Sequence, residues 1–151
     1  MAKNFSKILI HLILAVKNPE ALINNGVKNV LYKHINDTIK NKEQSLLAIN
    51  GMPDHVHIFL GLNTDVKVSD LVRDIKSESS RFINGNKLCR DKFHWQQGYG
   101  AFSYGQSQKD DVIKYILNQE QHHIKYSFKQ EFIEILRRFQ IKKRKLSFNF
   151  I

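Results

Sequence analysis

The order in which two hydrophobic periodicities alternate along this chain limits its possible folds more than any other feature. Residues 7–17, "KILIHLILAVK", are a run of β-branched and aliphatic side chains that reads as a buried strand. Pro19 and Glu20 then open a stretch in which Leu22, Ile23, Val27, Val30, Leu31, Ile35 and Ile39 recur at three- and four-residue spacing, so 20–41 reads as an amphipathic helix. "SLLAIN" (45–50) and "HVHIFLGL" (55–62) are two more strands, and Gly51 and Pro53 make the stretch between them a hairpin turn. Ser69 is a good N-cap for a helix through "DLVRDIKSESSRFI", with Leu71, Val72, Ile75 and Phe82 on its buried face. After a polar loop, "YGAFSYG" (99–105) supplies a fourth strand. Ser107 and Asp110 stand at capping-box spacing and open a helix over 109–127, with Val112, Ile113, Ile116 and Leu117 inward. A last helix, "KQEFIEILRRF", ends near Phe139.

The first six of these elements follow the split-βαβ order. The expected class is therefore α+β and ferredoxin-like. That means one antiparallel sheet with two helices on one face, the other face free to bind something, and C-terminal helices appended. No repeat, low-complexity tract or linker divides the chain, so 1–141 is expected to be a single domain and 142–151 a basic tail. The 151 residues suffice for a real core, and 42% hydrophobic and 25% charged residues are ordinary for a globular domain. The net charge of +10 is not ordinary and suggests a polyanionic partner, a nucleic acid or a membrane surface. One cysteine, Cys89, excludes an intrachain disulfide framework, and "KLCRDK" offers it no nearby histidine for catalysis. The apolar run 8–16 is too short to span a bilayer and lacks a cleavage pattern, so the reading is a cytoplasmic protein with no membrane insertion.

Several residues could carry chemistry. His55 and His57 are two apart, so on a strand they share one face. Two imidazoles can chelate a divalent metal, but two ligands are too few for a tight site, and a polar pair on a wet face fits as well. Tyr115 and Gln119, four apart, share one face of a helix; a tyrosine can be a covalent nucleophile and a glutamine an oxygen ligand. Tyr104/Gln108 and Tyr126/Gln130 repeat that spacing, so spacing does not choose among the pairs, and a half-buried Tyr beside a solvent-facing Gln fits equally. His122 and His123 could contact phosphate or metal, or be partly solvated. Trp95, next to His94, could stack on a base at the edge of a binding face or pack in the core. The densest basic run, Arg137, Arg138, Lys142, Lys143, Arg144 and Lys145, suits phosphates if ordered.

Four segments, "LLAINGMPDHVHIFLGL", "VSDLVRDIKSESSRFI", "FHWQQGYGAFSYGQSQ" and "VIKYILNQEQHHIKYSFKQEF", together resemble the single-tyrosine His-hydrophobic-His transposases of the insertion sequence 200 type. The likeness runs from about Ile8 to Ile141. It implies a ferredoxin-like fold and selects among the tyrosines. The family's nucleophile lies in a Tyr-x-x-x-Gln helix just before a His-His pair, which matches Tyr115, Gln119, His122 and His123. It further implies a divalent metal, Mg or Mn, on His55, His57 and Gln119. The implied substrate is single-stranded DNA bearing hairpins near the element ends, cut through a 5′-phosphotyrosine. The implied assembly is a homodimer with composite active sites. Two other functions remain open at this point: a non-catalytic module binding single-stranded nucleic acid, and a domesticated relative that nicks genomic repeat hairpins.

Overall fold

The computed structural model describes residues 5–17 and 22–142. Its elements in chain order are β1 (Leu9–Ala15), α1 (Asn25–Asn41), β2 (Ser45–Met52), β3 (His55–Gly61), α2 (Val68–Gly85), β4 (Gly100–Tyr104), a 3-10 turn at 106–108, α3 (Lys109–Leu117), α4 (Gln119–Lys125) and α5 (Phe128–Arg138). The four strands form one antiparallel sheet in the order β2-β3-β1-β4, as the split-βαβ reading requires. Register places Leu12 of β1 opposite Ile58 of β3 and Ala101 of β4.

Side chains along each strand alternate between the two faces. Leu12 and Leu14 of β1 join Val56, Ile58 and Leu60 of β3 against α1 and α2, where Leu31, Ile35, Ile39, Leu71 and Ile75 complete the main core. The other face is not free, which corrects the expectation of an open binding sheet. Phe128, Phe132 and Ile135 of α5 cover Ile13, Ala15 and Phe102, while Val112 and Ile116 of α3 cover Leu9, Ala48 and Phe59. The cause is a second set of apolar stripes on the C-terminal helices, which must bury themselves against the one remaining apolar surface.

Several boundaries also differ from the sequence reading. Helix α1 begins at Asn25, capped by Asn24, whose Oδ1 accepts from the backbone N–H of Gly26 (2.9 Å) and Val27 (3.0 Å). Pro19 and Glu20 lie outside the described residues. Lys67 rather than Ser69 is the N-cap of α2, because Val68 already packs on the core from within the helix. Before α3 the turn is held by Gln108, whose Oε1 accepts from Gly105 N–H at 3.0 Å, and not by Ser107 with Asp110. The single helix expected over 109–127 is interrupted at Asn118, and Leu117 is 60% exposed rather than inward. Ser127 belongs to the next element. It forms a capping box with Gln130, at 3.2 Å and 2.8 Å, that starts α5. Of the basic tail, only Lys142 is among the described residues.

Gly51, at the end of β2, pairs with Val56 between the two histidines of β3. A Cβ there would overlap the backbone carbonyl of His55 and come within 2.9 Å of the Cα of Val56. Gly51→Ala is therefore expected to destabilise the protein by about 2 kcal/mol, because backbone rather than a flexible side chain must yield. Gly61→Ala, whose added carbon meets nothing nearer than Ser45 Cβ at 3.9 Å, is the control and should cost far less. Urea unfolding of the two variants makes the comparison.

Candidate active site

The covered face of the sheet holds polar side chains that an apolar interface would exclude without a reason. His55 and His57 are fully buried on β3, with Gln119 of α4 also fully buried and Glu131 of α5 3% exposed. His123 joins them from α4, and Tyr115 reaches in from α3.

Hydrogen bonds fix which nitrogen each ring turns inward. His55 donates Nδ1–H to Asp54 Oδ1 at 2.7 Å, and His123 donates Nδ1–H to the Tyr126 carbonyl at 2.7 Å. A carboxylate and a carbonyl can only accept, so each ring in its neutral form carries its lone pair on Nε2. Those lone pairs face oxygens. His55 Nε2 lies 3.1 Å from Gln119 Oε1 and 3.3 Å from Glu131 Oε1. His123 Nε2 lies 3.0 Å and 3.2 Å from the same two oxygens. Gln119 is held in this orientation because its Nε2 donates to Glu131 Oε2 at 2.9 Å. His57 Nε2 stands 3.0 Å from Glu131 Oε1. The Tyr115 hydroxyl donates to Glu131 Oε2.

Acceptors thus converge on acceptors in a dry site, an arrangement that needs a cation among them, either protons on the imidazoles or a metal ion. One ligand atom from each of His55, His57, His123 and Glu131 lies within 4.8 Å of the others. Imidazole, carboxylate and amide donors at such spacing fit a divalent transition metal. Titration properties follow the same geometry. Burial would raise the Glu131 carboxyl, but hydrogen bonds from His55, His57 and Tyr115 hold it far below the ordinary carboxylate range. Burial pulls His55 down, but hydrogen bonds to Asp54 and Glu131 outweigh it and leave the ring raised; burial lowers His57. Burial, with the Glu131 charge beside it, pushes the Tyr115 hydroxyl well up, so the phenol keeps its hydrogen here.

The structure therefore brings together His55, His57, Tyr115, Gln119 and His123. Of the three tyrosine–glutamine pairs, only this one supplies its amide to the cluster, since Gln108 holds the Gly105 turn and Gln130 caps α5. His122 sits at the rim, with Nε2 3.5 Å from Glu131 Oε2 and its ring stacked on Tyr126 at 5.1 Å. Tyr115, His122, Tyr126, Glu131 and Arg138 line a cavity of about 470 Å³ that opens beside the tyrosine. Arg137 and Arg138 are exposed at the end of α5 and share Glu134, at 2.7 Å and 3.5 Å. Trp95 does not serve as a stacking surface. It is 8% exposed in the α1–α2 core, edge-on to Phe93, with its indole N–H donated to Ser79 Oγ at 2.8 Å. The core is where its large apolar ring could be buried with its one donor satisfied.

Two residues at the centre were missed from sequence. Glu131 sits in the helical stripe Phe128, Phe132, Ile135, and a carboxylate at a buried position of such a stripe is a signal that can be read. His11 is flanked on its own strand face by Leu9 and Ile13, and it too is buried, at 1% exposure. Its Nε2 lies 2.7 Å from His57 Nδ1.

Comparison with known proteins places these features in a wider group. The chain matches the family model "Transposase IS200 like" over residues 4–119. A crystal structure of a candidate transposase from Deinococcus radiodurans is similar in fold, with a TM-score of 0.63 and 23% identity, covering 79% of this chain and 95% of that one. A REP-associated tyrosine transposase bound to a REP hairpin is also similar, with a TM-score of 0.61 and 17% identity, covering 82% of this chain and 73% of that one. No curated protein sequence matches the chain significantly.

Glu131 gives a pH-dependent prediction for the metal-free protein. Its carboxyl stays ionised in the folded state well below the value near 4.3 at which an unfolded glutamate protonates. The stability it contributes is complete above that value and declines as the pH falls below it. Glu131→Gln should therefore cost about 3 kcal/mol at neutral pH in EDTA, since it removes one partner of a buried charged network. The gap to wild type should narrow toward pH 3, as measured by urea unfolding across a pH series.

Proposed function

This chain belongs to the IS200-like transposases, DNA-cleaving enzymes, and we propose that it cuts and rejoins single-stranded DNA through a covalent 5′-phosphotyrosine at Tyr115. The observation that carries the reading is the Tyr115 hydroxyl, held at the edge of a buried set of converging histidine, glutamine and carboxylate donors. A divalent ion on His55, His57 and Gln119, with His123 and Glu131 completing the donor set, would draw charge from the phosphodiester oxygens and orient them. The number of imidazoles suits Mn better than Mg. The Tyr115 hydroxyl gives its proton to the acceptor it already faces, Glu131 Oε2, and its oxygen forms the new bond to phosphorus as the bond to the 3′-oxygen breaks; the departing oxygen takes up a proton in turn and leaves as a 3′-OH. The tyrosine ester keeps the bond energy, so a 3′-OH can reverse the step and seal a junction without ATP.

The substrate on this reading is a single strand carrying a hairpin near the element end. The fold shared with a hairpin-bound transposase and the +10 charge support it. No helix among the described residues is long and apolar enough to cross a membrane. Joining two ends takes two tyrosines, which favours a homodimer. Within one chain Tyr115 and Gln119 already meet the histidines, so geometry does not require the composite, subunit-shared site that the resemblance implies. A mixture of Tyr115→Phe and His57→Ala subunits, each inactive alone, is expected to stay inactive; recovered cleavage would mean that α3 and α4 are exchanged between subunits.

The deciding experiment offers an end-labelled, hairpin-bearing single strand with Mn²⁺ and looks for label attached covalently to protein. Wild type, Tyr104→Phe and Tyr126→Phe should form the adduct. Tyr115→Phe should form none yet bind the strand nearly as well, and EDTA should stop the wild type. An undiminished adduct in Tyr115→Phe would refute the assignment. Binding should also weaken steeply with added salt, because each phosphate neutralised releases counterions.

A further inference from the structure

Each of the three imidazoles that turn Nε2 toward the cluster has a second nitrogen behind it. For His55 and His123 that nitrogen meets an acceptor-only partner, so each ring is locked with its lone pair forward. His57 differs. Its Nδ1 meets Nε2 of His11, and an imidazole nitrogen can either donate or accept. If His11 donates, His57 must carry its hydrogen on Nε2, aimed at Glu131 Oε1, and cannot be a ligand. If His11 accepts, the His57 hydrogen sits on Nδ1 and the Nε2 lone pair faces the cluster.

We propose that His11 is a positioning residue of the metal centre, which accepts the Nδ1 hydrogen of His57 and so holds that ring in its ligating tautomer. This rests on the metal reading given above. Three observations carry it. His11 and His57 are diagonal neighbours on β1 and β3, since His11 lies opposite Phe59, and their rings stack with centroids 5.0 Å apart. The pair is shut away from water, with His11 1% exposed and His57 fully buried, so no solvent molecule substitutes as the partner. His11 Nδ1 is buried with no hydrogen-bond partner, so nothing behind His11 dictates which nitrogen carries its hydrogen. His11 can therefore serve His57 in either tautomer, donating to a His57 that faces Glu131 and accepting from one that binds an ion. Ligating histidines commonly give their second N–H to a partner that orients them, and here that partner is another imidazole.

The test is Mn²⁺ binding by calorimetry, with melting temperature in EDTA as the control. His11→Phe places a ring beside Phe102 and Tyr104, whose centroids lie 6.2 Å from that of His11, and removes the acceptor. It should melt modestly lower than wild type in EDTA, because His57 loses a buried partner, but bind Mn²⁺ about tenfold or more weakly. His11→Gln keeps both an acceptor and a donor on its amide and should bind within about threefold of wild type. A purely structural role would lower the melting temperature alone and leave the Mn²⁺ affinity of the folded variant unchanged. Unchanged affinity in His11→Phe overturns the role of His11 and leaves the metal reading standing, whereas a wild type that binds no Mn²⁺ removes both. A wild-type measurement decides the matter should His11→Phe fail to fold. Long-range proton–nitrogen correlation of the Zn²⁺-loaded protein should place the His57 hydrogen on Nδ1, and a hydrogen on Nε2 would overturn the proposal.

Discussion

A single buried carboxylate governs how this molecule is put together. Glu131 takes hydrogen bonds from Tyr115 of α3 and Gln119 of α4 and stands against His55 and His57 of β3. Removing a carboxylate from water costs several kcal/mol unless it is paired, so α5 can bury Glu131 only where these partners meet it. The same atoms therefore dock the C-terminal helix and build the site. The apolar clusters on either side, around Phe132 and around Phe59, keep water out and so strengthen every polar contact between them.

The break at Asn118 belongs to the same design. Asn50 on β2 donates its amide to the carbonyls of Ile116 (3.1 Å) and Leu117 (3.2 Å), satisfying groups that a helix end leaves without partners. With α3 ended there, α4 starts at Gln119, whose buried side chain enters the cluster at once. Among the described residues the opposite face of the sheet holds no comparable cluster of buried charged and imidazole groups. Leu12, Ile58, Leu31 and Ile75 close it with aliphatic packing, which leaves the strands held firmly behind the site.

Element order was legible from sequence because it rests on local periodicity, and the split-βαβ topology followed from it. Ends were less legible where packing overruled a capping residue, as at Val68, or where a side chain from elsewhere stopped a helix, as Asn50 does. The second face was misread although a sign was present. "ILIHLIL" and "HVHIFL" are nearly continuous apolar runs, the signature of strands buried on both sides, whereas a half-open sheet would alternate. Spacing alone could not select Tyr115 among three equivalent pairs. That choice came from the family resemblance; of the three amides only Gln119 lies in the cluster. Glu131 was overlooked because a charged residue in a helix is usually exposed, and only its position in the stripe of Phe128, Phe132 and Ile135 marked it as different.

The two oxygens of Glu131 divide the site between two tasks. Oε1 faces the imidazoles of His55, His57 and His123. Oε2 faces the Tyr115 hydroxyl and the Gln119 amide. The carboxylate is rigid and planar, so the tyrosine side and the imidazole side cannot shift independently of one another. Gln119 ties them a second time, with Nε2 on Oε2 and Oε1 toward His55 and His123. Preorganisation of this kind suits the in-line attack on a phosphodiester proposed for this site, because little reorganisation is left for the moment of reaction. The arrangement also explains why so much polar surface is buried in a small sheet protein. The cost of desolvating these six polar side chains is offset by the hydrogen bonds they make to one another.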